Sequence, residues 1–256
     1  MSNRSALYQQ VRGGHEQRYI DYEVNGGAVS GLWPLYEPAG IRKDFSPNGN
    51  HLTDNSTVTD APGPSIWIPR ASQFTAANDE FLSVASNANL VTGLINYTLS
   101  CWVYLDTTGA NYRIFISKRE VGTYEYQLFY SSTADSGLIE FELGVGAGVV
   151  DVRGTTFGTP PTGQWLYIAA WVDASARTLN LQINNGVVET AALGGTDPNT
   201  GTALFQIGRD QPASPQYMDG RITQVVLEKR LLPADARTWR YNNGAGQSIQ
   251  ELRMGT

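Results

Sequence analysis

Glu140 and Glu142 are the only close pair of carboxylates on one predicted strand, Leu138-Ile139-Glu140-Phe141-Glu142-Leu143. A glycosidase needs two such groups projecting into one groove, about 5 to 5.5 Å apart for retention or about 6.5 to 9.5 Å for inversion. Here they alternate with apolar residues in the pattern of a half-buried strand, so both are expected to decorate its solvent face. His15 and His51 are the only histidines, and no Gly-rich nucleophile elbow surrounds a serine, so acyl-transfer triads and zinc sites lack their parts. Cys101, the single cysteine, lies in an alternating apolar segment and reads as a small buried hydrophobe with no intrachain disulfide partner.

Saccharide binding calls for a different inventory: aromatic faces for the C–H surfaces of a pyranose, and Asn, Asp or Gln edges for its hydroxyls. Tyr124, Tyr126 and Tyr130 fall on one face of a predicted strand, while Tyr112 and Tyr217 border loops. Tyr124, Tyr126 and Tyr217 are the ligand-binding candidates. Trp33, Trp102, Trp165 and Trp171 are expected to pack in the core or an interface.

The formal net charge is −6 and the 18 Lys and Arg residues are scattered, so no surface emerges that could neutralise a run of phosphates, and nucleic acid is not an expected partner. No segment is long and apolar enough to span a membrane. Residues 1–30 carry Arg4, Arg12, His15, Glu16 and Arg18 with no continuous apolar run, unlike a secretory h-region. Synthesis in a cytosol without export is therefore the expectation.

The elements that must position these groups are mostly strands. With 27 Gly, 12 Pro and 13 Tyr but only 16% charged residues, the 256-residue chain suits one large turn-rich β domain. The clearest strand spans 97–105, with Tyr97, Leu99, Cys101, Val103 and Leu105 on one face and Thr98, Ser100, Trp102 and Tyr104 on the other, so one face is expected to be buried. Similar runs are predicted at 112–116, 124–130, 138–143, 149–152, 165–172, 179–183, 204–207 and 221–227. Regular short strands imply two packed antiparallel sheets. Asn184-Asn185-Gly186 signals a hairpin, because Asn and Gly accept the positive φ of a primed turn. One helix is predicted, from Leu232 to Tyr241, with Pro233 early, Leu232, Ala236 and Trp239 at helical spacing, and Asn242-Asn243-Gly244 to stop it. Residues 1–30 form an N-terminal arm too short to bury its own core, and 31–256 the sandwich domain.

Read in order, several segments resemble the laminin G-like and pentraxin-like modules of the concanavalin A-like lectin/glucanase superfamily. They are Leu32 to Gly40, Asp44 to Thr53 with its Asn48-Gly49-Asn50 turn, Ala71 to Phe74, Glu80 to Val84, Tyr97 to Val103, Phe205 to Gly208, Met218 to Ile222, and the helix into Tyr241-Asn242-Asn243-Gly244. The resemblance covers roughly 31–246 and implies an all-β, two-sheet jelly roll with one short C-terminal helix. Relatives often hold calcium with Asp, Glu and Asn oxygens, and Glu37, Asp44, Asn50 and Asp219 are the matching candidates, although Thr223 stands where relatives commonly carry Asp. The alternative for Asp44 and Asn50 is a tight turn closed by side-chain to backbone hydrogen bonds. The longer acidic strand motif of sandwich glucanases is missing, so a binding role is expected over hydrolysis.

Such modules usually act outside cells, whereas this chain lacks an export signal and a disulfide pair. A bacteriophage structural protein, made in a bacterial cytoplasm and carried on the virion head or tail, reconciles the two. Its arm would anchor it to other virion proteins, burying Tyr19, Ile20 and Tyr22, and the sandwich would display a lectin-like face to cell-surface glycans. A homo-oligomer is expected. The alternatives are a free carbohydrate-binding or adhesion module and, third, a glycoside hydrolase.

Overall fold

A computed structural model of the protein describes residues 28–211 and 214–247. Period-two alternation produces fifteen strands there: β1 (Val29–Trp33), β2 (Thr53–Asn55), β3 (Thr59–Pro62), β4 (Arg70–Phe74), β5 (Phe81–Val84), β6 (Tyr97–Leu105), β7 (Arg113–Glu120), β8 (Thr123–Tyr130), β9 (Ile139–Val145), β10 (Gly148–Arg153), β11 (Trp165–Asp173), β12 (Thr178–Ile183), β13 (Val188–Ala192), β14 (Phe205–Ile207) and β15 (Gly220–Glu228). One helix, α1 (Ala234–Tyr241), follows. The first sheet runs β13-β12-β11-β6-β15-β4-β3, with β1 also on β15, and the second runs β10-β9-β8-β7-β14-β5-β2. The strand pairings within both sheets are antiparallel, giving the expected jelly-roll sandwich.

β15 serves two partners on one edge. Its first residues pair with β4 and its last with β1, and the register breaks between Thr223 and Val226, where Gln224 has φ 48°. Thr223 Oγ1 sits 2.8 Å from the Pro34 carbonyl and 2.9 Å from that of Arg70, bridging the two partner segments. β1 begins at Val29, so the last residues assigned to the arm already belong to the sheet. Tyr19, Ile20, Tyr22 and His15 lie outside the described residues.

Between the sheets, the apolar face of β6 is buried as its alternation predicts. Trp33 stacks on Phe205 with ring centroids 4.7 Å apart and donates its indole N–H to the Asn50 carbonyl at 2.7 Å. The ring folds back over its own strand, where a Cβ on Gly31 would stand 2.0 Å from it, so only glycine fits. Burial pushes the Cys101 thiol pKa up, in keeping with an inert core cysteine.

The second face of β6 is also buried, contrary to the one-sided expectation: Thr98, Ser100 and Trp102 are at most 1% exposed. The cover is the chain after β15. Tyr241 stacks on Trp102 at 6.1 Å, and Arg240 donates to Ser100 Oγ at 3.1 Å. The buried residues within α1 are Arg237 and Arg240; of the stripe read from its spacing, Leu232 is buried just before the helix and Ala236 and Trp239 are half-buried, Trp239 against Val29, Leu32 and Val226. Arg240 Nη2 lies 2.9 Å from the buried Glu228 carboxylate, and Arg237 lies 4.2 Å over the Trp171 ring while donating to Gln182 Oε1 at 2.7 Å. The helix therefore docks through two arginines onto a polar and aromatic sheet face and through Trp239 onto an apolar patch.

Asn184 and Asn185 take φ 50° and 54° between β12 and β13, the primed hairpin their side chains favour. Before β6, the chain forms the short strands β2 to β5, with β2 and β3 at the sheet edges, that the sequence presents only as scattered motifs.

Candidate functional site

On the face of the second sheet turned away from the core, register lines up one polar residue per strand. Asp151 of β10 stands beside Glu142, Glu142 beside Gln127, Gln127 beside Ser117, Ser117 beside Gln206, Gln206 beside Ser83 and Ser83 beside Thr53. Their apolar neighbours Phe141, Leu143, Tyr126, Leu128, Phe205, Ile207 and Leu82 point the other way, into the core.

A bulge in β8 shapes this face. Lys118 pairs with Tyr126 while Arg119 pairs with Tyr124, leaving Glu125 as the extra residue. Alternation alone would send Tyr124 to the same side as Tyr126. The bulge instead brings its hydroxyl to Gln127, where it donates to Oε1 at 3.2 Å. Tyr126 and Tyr130 are fully buried in the core, so the expected single tyrosine face does not form, and Tyr126 donates to the Leu90 carbonyl at 3.2 Å.

Arg119, which lies over the Tyr124 ring, borders a groove of about 360 Å³, at the small end of the range for ligand sites, that Tyr124 itself does not line. Gln127 and Phe129 of β8, Glu142 of β9 and Arg119 of β7 line it on the sheet side; Tyr112 and Asp135 line it on one flank, and Asp210, Ser214 and Gln216 on the other. The guanidinium of Arg119 lies 4.4 Å over the Tyr124 ring, donates to Gln127 Oε1 at 3.1 Å and stands 3.6 Å from Asp210 Oδ2. Asp210 also accepts from the Gln216 amide at 2.8 Å. Asp135 Oδ2 accepts from the Tyr112 hydroxyl and from Ser131 Oγ, each at 3.2 Å. This arrangement offers a guanidinium plane backed by the Tyr124 ring and flanked by Tyr112, ringed by carboxylate and amide oxygens that can hydrogen-bond a hydroxylated ligand.

Burial raises the carboxyl pKa of both Glu142 and Asp210 above the ordinary carboxylate range, against the lowering effects of Tyr124 and Arg119 on the first and of the Gln216 amide and Arg119 on the second. The folded chain thus holds these protons more tightly than the unfolded chain. Their effect on stability is favourable at low pH and is lost as pH rises through the folded values. Melting temperatures measured at about pH 5 and pH 7 are expected to fall more between the two for wild type than for Glu142→Gln or Asp210→Asn.

Glu140 is not on a solvent face: it is 1% exposed, accepts from Ser136 Oγ and lies 3.5 Å from Arg153 Nε. The turn at Ser136 and the Arg153 side chain of β10 enclose it. Tyr217 belongs to the segment that forms one groove flank but packs on Phe81, ring centroids 6.5 Å apart, with Arg209 over both rings. Arg119, Gln127, Asp135, Asp210 and Gln216 were not legible as site residues from sequence. The one signal was Gln127, a polar residue between Tyr126 and the apolar and aromatic Leu128-Phe129-Tyr130.

The four calcium candidates are not brought together. Asp219 precedes β15, where it accepts from Thr107 and Ala76, whereas Asp44 sits beside Leu32, which pairs with Val226 about 20 Å further along that strand. Asp44 Oδ1 accepts from the amides of Leu32 and Ser46, and Oδ2 from Ser46 Oγ and the Asn50 amide. Asn50 Nδ2 donates to the Ser30 carbonyl at 2.8 Å, and Glu37 Oε1 accepts from the Lys43 amide at 2.9 Å. Among the described residues no group of three His, Cys, Asp or Glu side chains is placed to hold a metal ion. Asp44→Ala strands three buried or half-buried amide donors, so a loss of about 2 kcal/mol is expected in urea unfolding, the same with added calcium as with chelator.

Comparison with known proteins places the fold. The chain is similar to the binding domain of Paraclostridial Mosquitocidal Protein 1, with TM-score 0.66 and 11% identity over 85% of this chain and 52% of that one. It is similar to the botulinum neurotoxin serotype D ligand-binding domain solved with N-acetylneuraminic acid, with TM-score 0.61 and 14% identity over 85% and 51%. It spans about half the length of these toxin domains. Domain 4 of AbnA, an extracellular arabinanase from Geobacillus stearothermophilus solved with arabinotriose, matches at TM-score 0.55 and 20% identity over 79% of this chain and 98% of that domain. No curated protein matches. The family model described as the concanavalin A-like lectin/glucanases superfamily matches residues 77–236, more than half of the chain, and the protein belongs to that superfamily.

Proposed function

We propose that the protein is a non-enzymatic glycan-binding module carried on the surface of a bacteriophage particle, anchored through its first 30 residues. The observation that carries the binding half is the groove lined by Arg119 and Gln127, with the Tyr124 ring beneath Arg119 and its hydroxyl on Gln127. A neurotoxin ligand-binding domain, about half of which this chain matches, is solved with N-acetylneuraminic acid, and an arabinanase domain matched over 98% of its length is solved with arabinotriose, which supports a saccharide as ligand. Glu140 is enclosed and does not line the groove, so it does not join Glu142 there as a carboxylate pair from one strand. The virion half rests on residues 1–30, a stretch too short to bury its own core that sets Tyr19, Ile20 and Tyr22 among polar residues, and on the single buried cysteine.

A glycan array with the wild-type protein and Arg119→Ala tests the first half: at least tenfold weaker retention of the bound glycans is expected from the variant, while turnover of any oligosaccharide that stops in Glu142→Gln would overturn the non-enzymatic reading. Deleting residues 2–27 tests the second. The truncated sandwich is expected to fold and to be missing from purified particles, and its normal incorporation would overturn the anchor. A second reading, a free carbohydrate-binding module, is favoured by the near-complete coverage of the arabinanase domain and predicts glycan affinity with no particle association.

A further inference from the structure

The groove has a charge balance that bears on which saccharides it accepts. Asp135, Glu142 and Asp210 bring three carboxylates to its lining and Arg119 one guanidinium. That guanidinium is already committed, with Nη1 to Gln127 and Asp210 and its plane to the Tyr124 ring. An anionic ligand would therefore meet uncompensated negative charge in a partly desolvated site, where like charges several ångströms apart repel more strongly than they do in water.

The same groups are almost all acceptors. Carboxylate oxygens with spare lone pairs call for a ligand rich in donors, which hydroxyls supply without adding charge. The next residues along the polar row are also uncharged: Ser117 Oγ and both amide atoms of Gln206 are buried without a partner, and each lies one strand further from Gln127.

We infer that the groove formed by Arg119, Asp135, Glu142 and Asp210 selects uncharged, hydroxyl-rich saccharides and rejects sugars that carry a carboxylate or sulfate. This rests on the glycan-binding reading and adds the ligand class to it.

The test uses the full chain on matched glycan pairs, neutral lactose-terminated chains against their 3′-sialylated and sulfated counterparts, with Kd values from titration. The neutral member is expected to bind at least tenfold more tightly. Asp135→Asn and Glu142→Gln, checked for folding by thermal melts, are each expected to narrow that ratio several-fold by strengthening the anionic arm; Asp135 is exposed, so its isosteric replacement leaves the fold intact. Equal or tighter binding of the sialylated member would overturn the inference and leave the glycan reading standing. Failure of both members, and of every other glycan on the array, would overturn the glycan reading and this inference with it.

Discussion

Lys118→Met is expected to destabilise the protein by about 3–5 kcal/mol, measured by urea unfolding, because it leaves a carboxylate buried without its cation. Lys118 and Glu125 are 0% and 1% exposed at their side chains and meet at 2.6 Å. Glu125 also accepts from the amide and hydroxyl of Thr92, and Lys118 donates to the Gly201 carbonyl, so the pair ties β7 and β8 to two loops. Glu125 is the bulged residue of β8, and losing the cation that draws it inward removes the reason for the bulge. The double variant Lys118→Met with Glu125→Gln should recover part of the loss, since no bare charge then remains. A Lys118→Met protein as stable as wild type would show that the ion pair contributes nothing net.

The sandwich was legible because burial on one face of a strand imposes a period of two that survives in the sequence. Tyr97, Leu99, Cys101, Val103 and Leu105 announce β6 to the residue, and Asn184-Asn185-Gly186 announces its hairpin. What period two cannot carry is a break in itself. Tyr124, Tyr126 and Tyr130 share parity in sequence, yet one extra residue at Glu125 separates the first from the other two. The groove is equally silent, because Arg119, Gln127, Asp135 and Asp210 are spread along more than ninety positions and are joined only by strand register and a returning loop. The two-sided burial of β6 was hidden for a related reason: Thr98 and Ser100 look like solvent residues, and the chain after β15 covers them, with the Arg230 carbonyl and Leu232 amide on Thr98 and Arg240 on Ser100. Polar faces met by polar partners leave no hydrophobic pattern to read.

Gly144→Ala is expected to cost about 3 kcal/mol and, unlike an ordinary core substitution, to weaken saccharide binding at the same time. A Cβ at Gly144 would stand 2.1 Å from the carbonyl oxygen of Tyr124 and 2.8 Å from Asn199 Nδ2. Neither can yield freely. The Tyr124 carbonyl is backbone at the bulge, and Asn199 is fixed there by donating its side-chain amide to that carbonyl at 3.2 Å and its backbone amide to Gly144 at 2.8 Å. The added methyl must therefore part β8 from β9 or expel Asn199, and either course strands a carbonyl and releases the Tyr124 ring from beneath Arg119. Unfolding in urea reads the first effect, and the Kd for the neutral glycan of the matched pair reads the second, with a tenfold loss expected. Stability lost with unchanged affinity would mean that the groove does not depend on how the bulge sets Tyr124, and that Arg119 is held by Asp210 and Gln127 alone.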